Sequence, residues 1–257
     1  MRRAEMGMPM DERMRTRTAD GHAGAGMRAR AGEVLALLAV PVAMLALFAS
    51  GWANSAVLML AVAVLVIGLF FARYERSRPA LRQIMPTLVL ASLAAAGRIL
   101  FAPIPDFKPV SAIAIIAGAS LGPQNGFMVG ALAAFTSNFF FGQGMWTPWQ
   151  MYAWGLVGYT GGLLASAGML TRPDGRPRRV ALVCAGVASG ALYGAVINAY
   201  DIIGFVQPFT WEGAFARLVA ALPFDVMHGA STALFLLALY GPWTRRIGRV
   251  VRKYALR

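Results

Sequence analysis

Residues 179–203 read Arg-Val-Ala-Leu-Val-Cys-Ala-Gly-Val-Ala-Ser-Gly-Ala-Leu-Tyr-Gly-Ala-Val-Ile-Asn-Ala-Tyr-Asp-Ile-Ile, with no charge between Arg179 and Asp201. The apolar residues do not alternate with polar ones, as they would on a strand of a membrane barrel. A hydrocarbon core about 30 Å thick takes about 20 apolar residues of helix, because every backbone group in lipid must be hydrogen-bonded within its own segment. Comparable runs lie at about 34–52, 55–73, 83–101, 109–121, 125–141, 149–170 and 213–241. Across the chain 58% of residues are hydrophobic and 14% charged, against about 45–50% and about 25% in soluble domains. The pattern predicts an all-α polytopic membrane protein.

The formal net charge of +13 raises the question of nucleic acid. Seven of the 24 basic residues lie between Arg2 and Arg30, four in 73–82, four in 172–179 and six from Arg245 onward; only Arg98, Lys108 and Arg217 fall elsewhere. Basic residues at the ends of apolar runs mark the cytoplasmic side. Two crossings separate the first two basic segments, four the next two and two the last, so all four can share that side. The charge is therefore read as topology rather than as a nucleic-acid footprint, with both termini cytoplasmic in a prokaryotic plasma membrane. Residues 109–121 would span only about 20 Å as a helix, so that run and the next form either two crossings or a re-entrant hairpin.

Residues 1–32 are polar and arginine-rich and are read as a disordered basic tail. The single cysteine, Cys184, lies inside an apolar run and is read as packing. The charged stretch Arg73-Tyr-Glu-Arg-Ser-Arg-Pro79 marks a boundary. Residues 33–79 make a two-helix membrane hairpin with this linker. Residues 80–257 contain the unusual chemistry: prolines, asparagines, aspartates and a histidine within apolar segments. Small residues recur at four-residue spacing, as in Gly126/Gly130, Gly158/Gly162 and Gly186/Gly190/Gly194, which lets helix backbones approach closely.

Two outward loops stand out. Pro103-Ile-Pro-Asp-Phe-Lys-Pro109 carries Asp106 and Lys108 and follows Arg98; its three prolines predict a stiff, extended rim. Residues 138–154 hold seven aromatics, Trp146 and Trp149 among them, with the amides Asn138, Gln143 and Gln150. Aromatic surface gives affinity and sparse amides give orientation to a bulky polar ligand. Asn198 and Asp201 share a face near one helix end, and Asp225 and His228 repeat that spacing after Pro223. The second pair reads as a lock, with Asp225 on His228 or Arg98, as a substrate contact, or as a proton relay. Two ligands alone make no metal site. The chain has no His-Glu-x-x-His motif and no Cys/His cluster, and neither lysine stands in a Gly-Lys-Ser/Thr phosphate loop. No catalytic residue is assigned, and any ATP-driven step falls to another chain.

The stretches Lys108-Pro-Val-Ser-Ala-Ile, Gly122-Pro-Gln-Asn-Gly-Phe and Ser137-Asn-Phe-Phe-Phe-Gly-Gln-Gly-Met-Trp-Thr-Pro-Trp-Gln-Met-Tyr-Ala-Trp-Gly155 resemble the substrate-binding S components of energy-coupling factor (ECF) transporters, most closely the subgroup with cobalamin-specific members. The resemblance covers residues 80–257. It implies a six-helix S-component bundle, here preceded by an additional hairpin, that captures a vitamin such as cobalamin without covalent cofactor. A transmembrane T component and two cytoplasmic ATPases would drive release. It also maps the family's Ala-x-x-x-Ala contact with the T component onto Ala91 and Ala95. The family's substrate contacts fall here on 102–108, 142–148 and the regions of Gln150, Asn198 and Asp201; together with the side chains singled out above, the expected substrate-binding set is Arg98, Asp106, Lys108, Asn138, Gln143, Trp146, Trp149, Gln150, Asn198 and Asp201. The competing reading is a stand-alone proton-coupled carrier built on Asp225 and His228; a third is a structural subunit without ligand.

Overall fold

The computed structural model describes residues 56–76, 81–206 and 208–254, together with eight helical positions between 32 and 46. The basic tail, most of the first apolar run and the linker at 77–80 lie outside the described residues. The apolar runs become α1 (Ala56–Arg76), α2 (Leu81–Leu100), α3 (Val110–Leu121), α4 (Pro123–Phe141), α5 (Trp146–Ser166), α6 (Arg179–Phe205) and α7 (Trp211–Lys253). No strand is present among the described residues; Thr171 and Pro177 form an isolated bridge in the turn between α5 and α6. Helices α6 and α7 are long and apolar enough to cross a membrane.

Helix α3 is the axis of the fold. Nine of its twelve residues are buried, and it touches α2, α4, α5, α6 and α7. At about 18 Å it is too short to cross a bilayer. Its apolar character comes from being enclosed by protein: Ala112, Ala114, Ile116 and Ala117 have no exposed surface. The chain leaves α3 through Gly122, whose φ of 103° side chains rarely adopt, and enters α4 directly at Pro123.

The spaced glycines serve packing within the chain. A Cβ on Gly118 or Gly126 would run into the Gly158 carbonyl oxygen, and one on Gly130 into that of Trp154, so α3, α4 and α5 meet backbone to backbone. On α6, Gly186, Gly190 and Gly194 sit against Ala233, Gly229 and Asp225 of α7. That descending order makes α6 and α7 antiparallel. Cys184 is exposed on α6, not packed as its apolar run suggested.

Helix α1 docks on α5 and α4. The Phe70 ring stacks on Phe127 at 4.1 Å, and Tyr152 donates a 2.6 Å hydrogen bond to the Leu37 carbonyl. The Ala91/Ala95 face is not free. Ala91 and Ala95 are 5% and 3% exposed, since α2 turns its alanines onto α3 and α4. The expected partner contact at Ala91 and Ala95 is corrected: small side chains on this helix let neighbouring helices of the same chain come close.

Candidate functional site

Polar side chains from the ends and middles of several helices converge on one end of α3. Arg98, in the last turn of α2, is 8% exposed. Its Nη1 donates to Ser137 Oγ at 2.7 Å and to Asn138 Oδ1 at 2.6 Å on α4. Asn138, with no exposed surface, passes its amide hydrogens to Thr147 Oγ1 at 3.0 Å and Gln150 Oε1 at 2.8 Å on α5. Thr147 donates in turn to Gln143 Oε1 at 2.9 Å, and Gln143 Nε2 reaches the Phe135 carbonyl at 3.0 Å. Arg98, Asn138, Gln143 and Gln150 thus form one connected network.

The guanidinium also lies between two rings, 4.5 Å from the Phe141 centroid and 4.9 Å from that of Trp154. Lys108 approaches the same Phe141 ring at 5.9 Å. Among the described residues no carboxylate comes within ion-pair distance of Arg98; the ion pairs are Arg176 with Asp174 and Arg217 with Asp201. The Trp154 indole nitrogen beside it is buried without an acceptor among the described residues.

The loop between α2 and α3 closes this end. It is turned, not extended as its prolines suggested: Ala102 and Ile104 amides bond back to Ile99 and Phe101 carbonyls at 3.0 and 3.1 Å. Proline fixes φ without excluding turns, and apolar contacts decide the rest. Phe101, Phe107 and Phe235 of α7 form a ring cluster with centroids 5.3 to 5.6 Å apart. Asp106 adopts φ 50°, a left-handed conformation that Asp tolerates, and its carbonyl accepts from Ser231 at 3.2 Å. Burial pushes the Asp106 carboxyl above the usual carboxylate range, although Lys108 and Arg98 pull it the other way. Burial likewise lowers the Lys108 ammonium, and nearby Asp106 offsets part of that shift.

Helices α6 and α7 complete the cluster in a way the sequence did not foretell. Asp225 pairs with neither His228 nor Arg98; its Oδ2 accepts from Asn198 Nδ2 at 2.8 Å. His228 instead bonds Ser111 Oγ at 2.7 Å and stacks on Tyr193 at 4.5 Å. The spacing of three put both residues on neighbouring turns, but α6 and α3 supplied nearer partners. Asn198 and Asp201 also part company, since Asp201 forms an exposed ion pair with Arg217 at 3.2 Å, the kind worth about 0–1 kcal/mol. Asp201 therefore lies outside the cluster.

The two tryptophans assigned to the rim separate similarly. Trp146 is 44% exposed and lies over Gly144. Trp149 is 1% exposed and stacks on Tyr200 at 5.6 Å, so it belongs to the core and not to a ligand surface. Trp149→Ala is expected to lower stability by about 3–5 kcal/mol, the usual loss for a large buried aromatic. Chemical unfolding in detergent, followed by Tyr and Trp fluorescence, measures it. Residues the sequence reading passed over are Ser111, Ser137, Thr147 and Tyr193. Ser137 and Thr147 flanked residues already singled out, and Tyr193 is a lone phenol in a glycine-rich apolar run, a signal that could have marked it.

Fold and cluster together define an all-helical chain with membrane-length helices around an internal network of polar side chains. The chain belongs to the family of unknown function DUF6580, whose model matches residues 78–249. Neither the curated proteins nor the solved structures yield a match.

Proposed function

We propose that residues 80–257 are a membrane-embedded, non-enzymatic receptor that captures a small polar ligand at the outer face, in the manner of an ECF S component. The observation that carries this reading is the donor set at the centre of the cluster. A guanidinium that is 8% exposed has two of its five N–H groups engaged, and a buried indole N–H beside it has no acceptor among the described residues. Buried donors and charges without partners cost several kcal/mol, and a ligand rich in acceptors repays that cost on arrival. The aromatic faces of Phe141 and Trp154 supply apolar area alongside. A vitamin fits this chemistry, with cobalamin, which carries amides and a phosphodiester, first among the candidates by resemblance.

The membrane setting rests on α6 and α7 and on their surface. The first half of α7 turns Trp211, Phe215, Val219, Leu222 and Val226 outward, each more than half exposed, an apolar surface that lipid would cover. In this arrangement the four basic segments face the cytoplasm, α3 and α4 together count as an even pair, and both termini lie inside. A T component and two ATPases would supply the driving force. They would dock on a surface other than Ala91 and Ala95.

The carrier reading needs Asp225 and His228 to exchange a proton, and their separate partners, Asn198 and Ser111, give it less support. Mass spectrometry of small molecules co-purifying with detergent-extracted protein tests the proposal directly. A vitamin recovered in near-stoichiometric amount supports it. Uphill uptake by proteoliposomes holding this chain alone, under a pH gradient and without ATP, would replace it with the carrier.

A further inference from the structure

At the opposite, basic end of the bundle a cavity of about 710 Å3 opens between the last residues of α3 and α5, the turn carrying Thr171, and the final third of α7. Helix α7 lines it with Arg245, Arg246, Arg249 and Arg252, and no carboxylate is among the lining residues. None of these arginines takes part in the ion pairs of the described residues. Arg245, Arg249 and Arg252 follow one another at spacings of four and three, which stacks like charges on one stripe of the helix and destabilises it. The negative end of the helix dipole favours the last of them, but its influence fades within the final turn and does not reach Arg245 or Arg246. Tyr240 and Thr171 also line the space, bonded to each other through their hydroxyls at 3.1 Å, and so tie the basic turn at 172–179 to this wall.

Several planar guanidinium groups converging on one space fit the oxygens of a phosphate, each able to donate a paired hydrogen bond. A second cavity indicates what the phosphate is attached to. A groove of about 610 Å3 lies between Met85, Val89 and Leu93 of α2 and Trp243, Ile247 and Val250 of α7, almost wholly apolar, and Arg246 lines both spaces. A polar space for an anion and an apolar space for hydrocarbon, joined at one arginine, match an amphiphile. We propose that the arginine cavity of α7 binds a phosphate group, with the headgroup of an anionic phospholipid as the source that the adjoining groove favours.

Native mass spectrometry of the full chain in detergent, offered equimolar phosphatidylglycerol and phosphatidylcholine, tests this. The protein is expected to retain phosphatidylglycerol in about tenfold excess. Arg249→Gln with Arg252→Gln should bring the ratio near unity. Arg172→Gln with Arg176→Gln, which removes the same charge from the same end but outside the cavity, should leave it. A second arm compares thermal unfolding in sodium phosphate and in sodium chloride at equal ionic strength. Preference for phosphatidylglycerol that depends on Arg249 and Arg252 assigns the site to lipid headgroups, whether or not phosphate stabilises. Stabilisation by phosphate alone, lost in the same variant, assigns it to soluble phosphate compounds. Absence of both effects, or equal loss in the two double variants, overturns the proposal, because diffuse charge would then account for the binding.

Discussion

Arg98→Gln is expected to strip the protein of its ligand while leaving the fold in place. A hydrogen bond to a charged group contributes about 1.5–3 kcal/mol. The loss of even one such bond should weaken retention by at least about tenfold. Stability should move little, because removing a buried cation that has no counter-ion also removes its desolvation penalty. Glutamine can still donate to Asn138 Oδ1, the acceptor that Arg98 now engages at 2.6 Å. Arg98→Lys should not restore binding, since an ammonium lacks the planar fork that serves Ser137, Asn138 and a ligand at once. Ligand content by mass spectrometry and thermal unfolding, measured on the same preparations, separate the outcomes. A melting point more than about ten degrees lower, with ligand still bound, would make Arg98 a structural lock between α2 and α4.

The largest effect on folding is expected at Gly158. A Cβ there would drive into the carbonyl of Gly126, and one on Gly126 into the carbonyl of Gly158. Neither obstacle is a side chain that can rotate away, so α4 and α5 would have to separate. Gly158→Val should therefore cost more than the 1–3 kcal/mol usual for overpacking and leave little folded protein. Gly68 provides the contrast, because a Cβ at that position in α1 meets nothing within 4 Å. Gly68→Ala should be neutral or stabilise by about 0.5–1 kcal/mol, as alanine does in place of glycine within a helix. Yield of monodisperse protein on size exclusion, with thermal unfolding, reads both. A well-folded Gly158→Val protein would mean that α4 and α5 do not meet through these glycines.

The helices were legible because helix formation here is a local property. Among the described residues, each run of apolar residues from residue 55 onward became a helix within a few residues of the ends its pattern suggested, apart from α7. That helix continues to Lys253, twelve residues beyond its apolar run, because a basic amphipathic tail extends a helix without being uniformly apolar. The spacing of glycines also announced close backbone contact. It did not say which pairs would meet, and the small face of α2 at Ala91 and Ala95 could equally have faced a partner until α3 and α4 covered it.

The candidate site was legible in its membership more than in its connections. Asn138, Gln143 and Gln150 are close in sequence, and the short link between α4 and α5 brings them together. Arg98 reaches the same network from forty residues away.

The sequence by itself determined an all-helical chain, its apolar segments, the sorting of its basic residues into four clusters, and the concentration of unusual polar groups after residue 80. Tertiary structure alone decided the partner of each polar group. Asp225 meets Asn198 and not His228 because Gly194 lets α6 lie against α7 at that depth, and Trp149 is core because Tyr200 covers it. Such pairings depend on the rotation and depth of helices distant along the chain, which hydrophobic periodicity leaves free and only the closest packing of the whole bundle fixes.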